Sequence, residues 1–166
     1  MSSFSERSAA LRAQKERIEK MWQEALEIFC RHAEGGNLTE MEKLWSHFKE
    51  LTRDGPLKCD LATKIRTAGG RGEQAIHCAA DHGAVKAIEW LVAHGADLRA
   101  RDGNGWTIMH HAAVCDQPEA IHWMKLRGLD IDAKDNDGCT PLQRVHMSGG
   151  KKETIAQLIS DGAKDR

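Results

Sequence analysis

The chain has 166 residues and an almost balanced charge, with 24 Lys and Arg against 25 Asp and Glu and a formal net charge of −1. This length predicts a single domain. The charge balance gives no electrostatic reason to expect nucleic acid or an anionic membrane as a partner. Its apolar runs are too short to span a bilayer, so we expect no membrane insertion.

The cysteines and the start of the chain indicate the compartment. The first residues, Met1-Ser2-Ser3-Phe4-Ser5, lack the apolar stretch of a secretory signal. The five cysteines are odd in number and have no paired spacing: Cys30, Cys59, Cys78, Cys115 and Cys139. We therefore expect reduced thiols and a cytoplasmic, intracellular protein. Cys115 is the cysteine that we expect to be exposed.

The N-terminal third of the chain predicts two amphipathic helices. In residues 8–32, Ile18, Trp22 and Phe29 fall on one face and charged side chains on the other. A second apolar face follows, with Leu44 and Phe48 in residues 35–54. We expect the first helix to shield the apolar end of the following helices from water. We expect the second to belong to a degenerate copy of the repeat found in the centre of the chain.

The centre of the chain contains one 33-residue unit written twice. The nine residues from Gly72 to Ala80 align with the nine from Gly105 to Ala113 when the sequence is shifted by 33 places. A third copy begins at Gly138 and carries one extra residue around positions 149–152. A unit of this length cannot bury its own apolar face, so neighbouring copies must stack.

Each unit has the apolar periodicity of two short helices. In the first copy, Ile76, Ala79 and Ala80 follow the spacing of one helical face, and Ile88 and Leu91 follow it in the second half. Glycines at the ends of these segments suit the left-handed conformation that terminates a helix. Asp116 stands in the place of one such glycine, which Asp tolerates better than most residues.

This pattern resembles the ankyrin repeat, whose signature is Thr-Pro-Leu-His-x-Ala. The third copy has Thr140-Pro141-Leu142 but then Gln143, the second has Thr107 and His110, and the first keeps only His77. The resemblance implies an all-α solenoid of helix pairs with projecting hairpin loops. Residues 1–63 would be the helical cap with the degenerate repeat, and residues 64–166 the repeats proper, at about 72–104, 105–137 and 138–166.

The sequence does not predict catalytic or metal chemistry. Nine histidines and five cysteines invite a zinc hypothesis, but no Cys-x-x-Cys occurs. His77 and His110 occupy the position where the family uses histidine to bond the turn backbone, and neighbouring His110 and His111 point to different faces of a helix. The glycine-rich stretches at 68–72 and 148–152 lack the Lys-Ser/Thr ending of a phosphate loop. We therefore predict no enzyme, no metal site and no cofactor.

The resemblance implies a protein partner bound at the concave face formed by the hairpin tips and the first helices. Trp106 is the first candidate, because aromatic residues and Arg are enriched in interface hot spots; the alternative is that its ring only covers the adjacent hairpin. Trp90 and Trp123 are expected to pack between second helices. Carried over column by column, the candidate residues are Arg71, Glu73, Asp81, His82, Arg101, Asn104, Trp106, His111, Val114, Cys115, Lys134, Asn136, Asp137, Arg144 and Met147.

Two other functional classes stay open at this point. The chain could be a structural subunit of a larger complex that docks through its N-terminal helix and its C-terminal end. A metal-dependent or enzymatic role is the remote alternative, since it would require titratable groups that converge in one pocket.

Overall fold

The computed structural model describes residues 73–164, together with Lys20 and residues 38–40, 42, 43 and 46. The predicted N-terminal helix at 8–32 lies outside this part of the chain except for Lys20, which is helical. Most of the predicted degenerate repeat lies outside it too, although Leu38 packs against the core.

Residues 73–164 form three helix pairs. The first helices of the pairs are α1 (Ala75–Asp81), α3 (Ile108–Val114) and α5 (Pro141–Ser148). The second helices are α2 (Val85–Ala93), α4 (Pro118–Leu126) and α6 (Lys152–Ser160). The two connecting loops between pairs are residues 94–107 and 127–140. The described helices do not include one long and apolar enough to cross a membrane.

The pairs stack through their first helices. Helix α3 packs against both α1 and α5, and α4 packs against α6. Ile76, Met109 and Leu142 occupy the same place in successive pairs and are all buried. Small residues allow this close approach, because Ala79, Ala112 and their neighbours are fully buried between the helices.

Helix ends follow the local sequence closely. Each first helix begins with a capping box, in which the third helical residue bonds back to the residue before the helix. Asp116 adopts the left-handed conformation with a φ of 56°. Its carboxylate accepts hydrogen bonds from Lys151 N at 2.8 Å and Thr154 Oγ1 at 2.9 Å, so this turn also ties the second pair to the third.

Candidate functional site

The two connecting loops have the same turn at their tips. Asp102 Oδ1 accepts hydrogen bonds from the backbone N–H of Asn104 at 2.9 Å and of Trp106 at 2.8 Å. One repeat later, Asp135 Oδ1 accepts from Asp137 N at 3.0 Å and Cys139 N at 2.9 Å. Each aspartate therefore holds its loop in one shape and leaves its Oδ2 atom for other partners.

Neighbouring loops are bonded to each other as well. Arg101 Nη1 donates to Lys134 O and to Gly105 O, both at 2.7 Å. Asn136 N donates to Asn104 O at 3.0 Å. These bonds join the two tips into one surface and fix the two backbones relative to each other.

Trp106 lies half-buried on this surface. Its ring is 6.0 Å from that of His110 and 5.4 Å from that of His111, and the Arg144 guanidinium lies 5.5 Å from its centroid. Arg144 donates from Nε to Asp135 Oδ2 at 2.6 Å and from Nη2 to Asp137 Oδ2. A cation held over an aromatic ring in this way stabilises the ring's position.

In the ion pair between Arg144 and Asp135, each side chain stabilises the charged form of the other. Hydrogen bonds from Arg144 to the two aspartates raise the pKa of its guanidinium. Burial alone would raise the pKa of Asp135, but the bonds from Arg144 and from two backbone N–H groups outweigh it and hold this pKa below its usual range. Asp135 is therefore a charged, fully bonded anchor for the second loop.

We call the linked residues the loop cluster: Arg101, Asn104, Trp106, Lys134, Asn136, Asp137 and Arg144. Most of its side chains are exposed, whereas Trp106 and Arg144 are half-buried. All seven were candidates from the sequence, and the contacts described above bring them together. The notion of Trp106 as a cover for the adjacent loop is compatible with the same contacts, because the ring both packs and retains exposed area.

The other candidates are spread along the first helices. Glu73, Asp81 and Val114 are half-buried, whereas His82 is exposed and Met147 is 70% exposed. Arg71 lies outside the described residues. These positions extend the surface beyond the loop cluster but add no specific geometry to it.

His111 does not occupy the exposed position expected of a partner-binding residue. Its side chain is 5% exposed, and Nδ1 lies 2.9 Å from Asp81 Oδ1. Nε2 lies 3.5 Å from Asp102 Oδ2. Burial alone would lower the pKa of His111, but Asp81 and Asp102 together raise it. The sequence could not show that aspartates from two neighbouring elements enclose the ring.

Cys115 is exposed, as expected, but poorly disposed to react. Local burial of its sulfur and the nearby Asp81 carboxylate raise the pKa of the thiol to about 12. Its Sγ donates to Asp81 Oδ1 at 3.3 Å. Because the thiolate is the nucleophilic form, a thiol that stays protonated at neutral pH reacts slowly.

The sequence pattern did not indicate Asp102 and Asp135 as site residues. Both were visible as an aspartate three places before the turn glycine in consecutive repeats. That signal indicates a turn, and the turn bonds use only one oxygen of each side chain. The partners of the second oxygens come from the following helix, which local sequence does not reveal.

The comparison with protein families agrees with the architecture. A family model described as ankyrin repeats, in three copies, matches residues 33–135, which is more than half of the chain. The match includes the predicted degenerate repeat and the first two described helix pairs. The third pair lies beyond it, yet its first helix packs on α3 as α3 packs on α1. A search of curated proteins found no match to this chain.

Proposed function

Because the chain belongs to the ankyrin-repeat family, we propose that it is a non-catalytic module that binds a partner protein through the concave face centred on the loop cluster. Ankyrin repeats generally mediate protein–protein interaction, and the family is typically non-catalytic. An adaptor or accessory subunit fits these properties.

The observation that carries this proposal is the bracing of Trp106. The ring is partly exposed, and Arg144 holds it from one side while Asp135 holds Arg144. Trp and Arg are the residue types most enriched in interface hot spots. A side chain that is already ordered loses less conformational entropy on binding, so this arrangement favours affinity.

The residues around Trp106 suit a protein partner. The exposed Arg101, Lys134 and Asp137 of the loop cluster carry both charge signs, and Asn104 and Asn136 add amide groups. An aromatic centre with a polar, solvent-accessible rim is the usual composition of a protein-binding patch.

We also propose a cytoplasmic location. Cys78, Cys115 and Cys139 are free thiols in the described part of the chain, which supports a reducing compartment. Cell fractionation with the thiols blocked on lysis would test this, and recovery of the protein in an oxidising compartment with mixed disulfides would contradict it.

Replacement of Trp106 by Ala tests the binding surface. The matched control is Trp123→Ala, because Trp123 is also half-buried and lies 4.8 Å from an arginine guanidinium, that of Arg127, but belongs to a second helix. Affinity capture with the wild-type chain identifies the partner, whose dissociation constant is then measured for both variants. We expect Trp106→Ala to weaken binding at least tenfold, about 1.4 kcal/mol, and Trp123→Ala to leave it unchanged.

The reverse pattern would contradict the proposal. Loss of the partner with Trp123→Ala and its retention with Trp106→Ala would place the interface on the second helices. Circular dichroism must show that both variants keep the wild-type helix content, so that loss of binding is not loss of fold.

A structural-subunit role is the second candidate function, and one observation favours it. Leu126 near the end of α4 and Ile159 near the end of α6 are 73% and 49% exposed. Two exposed apolar side chains on neighbouring second helices could dock another chain along these helices. Light scattering of Leu126→Lys and wild-type protein would distinguish this role, since only an assembly that uses this face would be dissociated by the charge.

A further inference from the structure

Three potential metal ligands converge beneath Trp106. Single ligand atoms of Glu73, Asp102 and His111 all lie within 4.8 Å of one another. Glu73 precedes α1, Asp102 lies in the first connecting loop, and His111 is on α3. Since these residues come from three separate elements, their convergence is a product of repeat stacking and has no spacing signature in the sequence.

Two atoms in this cluster are buried without a hydrogen bond. Asp102 Oδ2 and His111 Nε2 belong to side chains that are 1% and 5% exposed, and neither atom has a hydrogen-bond partner among the residues that the structure describes. They face each other across 3.5 Å. Buried polar atoms are nearly always satisfied, so a pair of this kind indicates an additional group between or beside them.

The outer atoms of the same side chains are fully engaged. His111 Nδ1 lies 2.9 Å from the Asp81 carboxylate, which as an acceptor leaves the proton on Nδ1 and the lone pair on Nε2. Asp102 Oδ1 accepts two backbone N–H groups. Carboxylates that orient a ligating histidine through its other nitrogen are the usual outer support of a metal site.

The next repeat has a direct ion pair at the equivalent position, with no room for an additional group. Arg144 and Asp135 are the equivalents of His111 and Asp102 one repeat later, and they form a direct ion pair at 2.6 Å. The shorter imidazole leaves a longer separation from its aspartate. A neighbouring glutamate then makes the cluster more acidic, because Glu73 adds a second carboxylate.

We propose that Glu73, Asp102 and His111 bind one divalent transition-metal ion of the zinc class. One imidazole nitrogen and two carboxylate oxygens form a donor set that suits zinc, and the two carboxylates balance its charge. Ligands about 2.0–2.2 Å from a tetrahedral ion lie about 3.3–3.5 Å apart, which is the Asp102–His111 separation. The carboxylate of the half-buried Glu73 would be the third ligand.

The ion would link the start of α1 to α3 directly under Trp106, whose ring lies 5.4 Å from that of His111. His77 is not a further ligand, although its ring is 5.0 Å from that of His111. Its Nδ1 accepts from Gln74 N at 2.9 Å, and its Nε2 lies 3.2 Å from Ala100 O. The site is independent of the proposed partner-binding function, which would survive its absence.

Zinc titration of the full chain, stripped with a chelator, tests the site. We expect one ion to bind, with a change in the imidazole nitrogen shifts of His111. His111→Arg should abolish this binding and still fold, because it recreates the Arg144–Asp135 pair of the next repeat. The control is His122→Ala, which removes an exposed histidine that lies 2.9 Å from Asp161 and should leave the affinity unchanged.

A second variant keeps the test decisive if His111→Arg does not fold. Glu73→Gln changes a half-buried side chain outside the helices and should weaken zinc binding at least tenfold. Wild-type protein that binds no zinc would overturn the proposal and leave a direct ion pair between protonated His111 and Asp102. Unchanged affinity in Glu73→Gln, or in a folded His111→Arg, would overturn it as well.

Discussion

The third residue of each first helix accepts a hydrogen bond from the backbone N–H of the residue before the helix. Histidine and glutamine both do this in the described part of the chain. His110 Nδ1 accepts a hydrogen bond from Thr107 N at 3.2 Å, and Gln143 Oε1 accepts one from Thr140 N at 2.9 Å. The histidine also contacts the second connecting loop, because its Nε2 lies 3.2 Å from Cys139 O. The prediction that this histidine bonds the turn backbone is confirmed.

Substitution of His110 should separate the two bonds. His110→Gln keeps the cap and loses the bond to Cys139, so we expect a loss of about 1 kcal/mol in the free energy of unfolding. His110→Ala loses the cap bonds to Thr107 as well as the bond to Cys139 and leaves a cavity, so we expect about 2–4 kcal/mol. Urea denaturation measures both, and equal losses would show that the cap contributes nothing.

His110 should also make the fold sensitive to acid. Burial lowers the pKa of His110 below its ordinary value, although the bond to Cys139 opposes this. The folded state then binds fewer protons than the unfolded state, so the contribution of neutral His110 is complete above about pH 6.5 and is lost as the pH falls through the folded pKa. Between about pH 7 and pH 5, His110→Gln should lose less unfolding free energy than the wild type. Parallel pH profiles would contradict this.

The two connecting loops differ in how closely a neighbouring loop packs against them. Gly105 and Gly138 are equivalent and have φ values of 76° and 77°. A Cβ atom on Gly105 would lie 2.9 Å from the backbone N of Asn136, whereas one on Gly138 would meet nothing within 4 Å among the described residues. Only the first loop is therefore covered by its neighbour.

Alanine at these two glycines should measure that packing. Gly138→Ala carries only the left-handed strain, about 1–2 kcal/mol. Gly105→Ala adds a clash with backbone that cannot rotate away, so we expect at least about 1 kcal/mol more. The difference in thermal or urea stability between the two variants reports the contact between loops, and a difference of zero would mean that the loops do not pack in solution.

The sequence predicted the helix pairs well and the contacts between repeats poorly. The starts of α1, α3 and α5, at Ala75, Ile108 and Pro141, are 33 residues apart, and α6 begins one place late because of the extra residue near Gly149. Periodicity determines these features because they are local. The burial of His111 depends on side chains from two other elements, which no periodicity within one repeat records.

Within residues 73–164, each helix pair is stabilised by its neighbours, because stacking buries the apolar sides of adjacent pairs. Met109 is fully buried on α3, which packs against both α1 and α5. Leu158 is also fully buried, but it lies on α6 in the last described pair. In a linear stack, a central residue supports two interfaces and a terminal one supports fewer.

Replacement of these two residues by alanine should destabilise different helices of the stack. Met109→Ala and Leu158→Ala should each cost about 2–5 kcal/mol, because both remove a buried side chain and leave a cavity. Native-state hydrogen exchange, read by mass spectrometry, should show faster exchange in α1, α3 and α5 for Met109→Ala, since its loss weakens both interfaces of the central pair. For Leu158→Ala the faster exchange should be concentrated in α5 and α6. If Met109→Ala changed exchange only within residues 108–126, the pairs would be independently stable units and the stack would not be the source of stability.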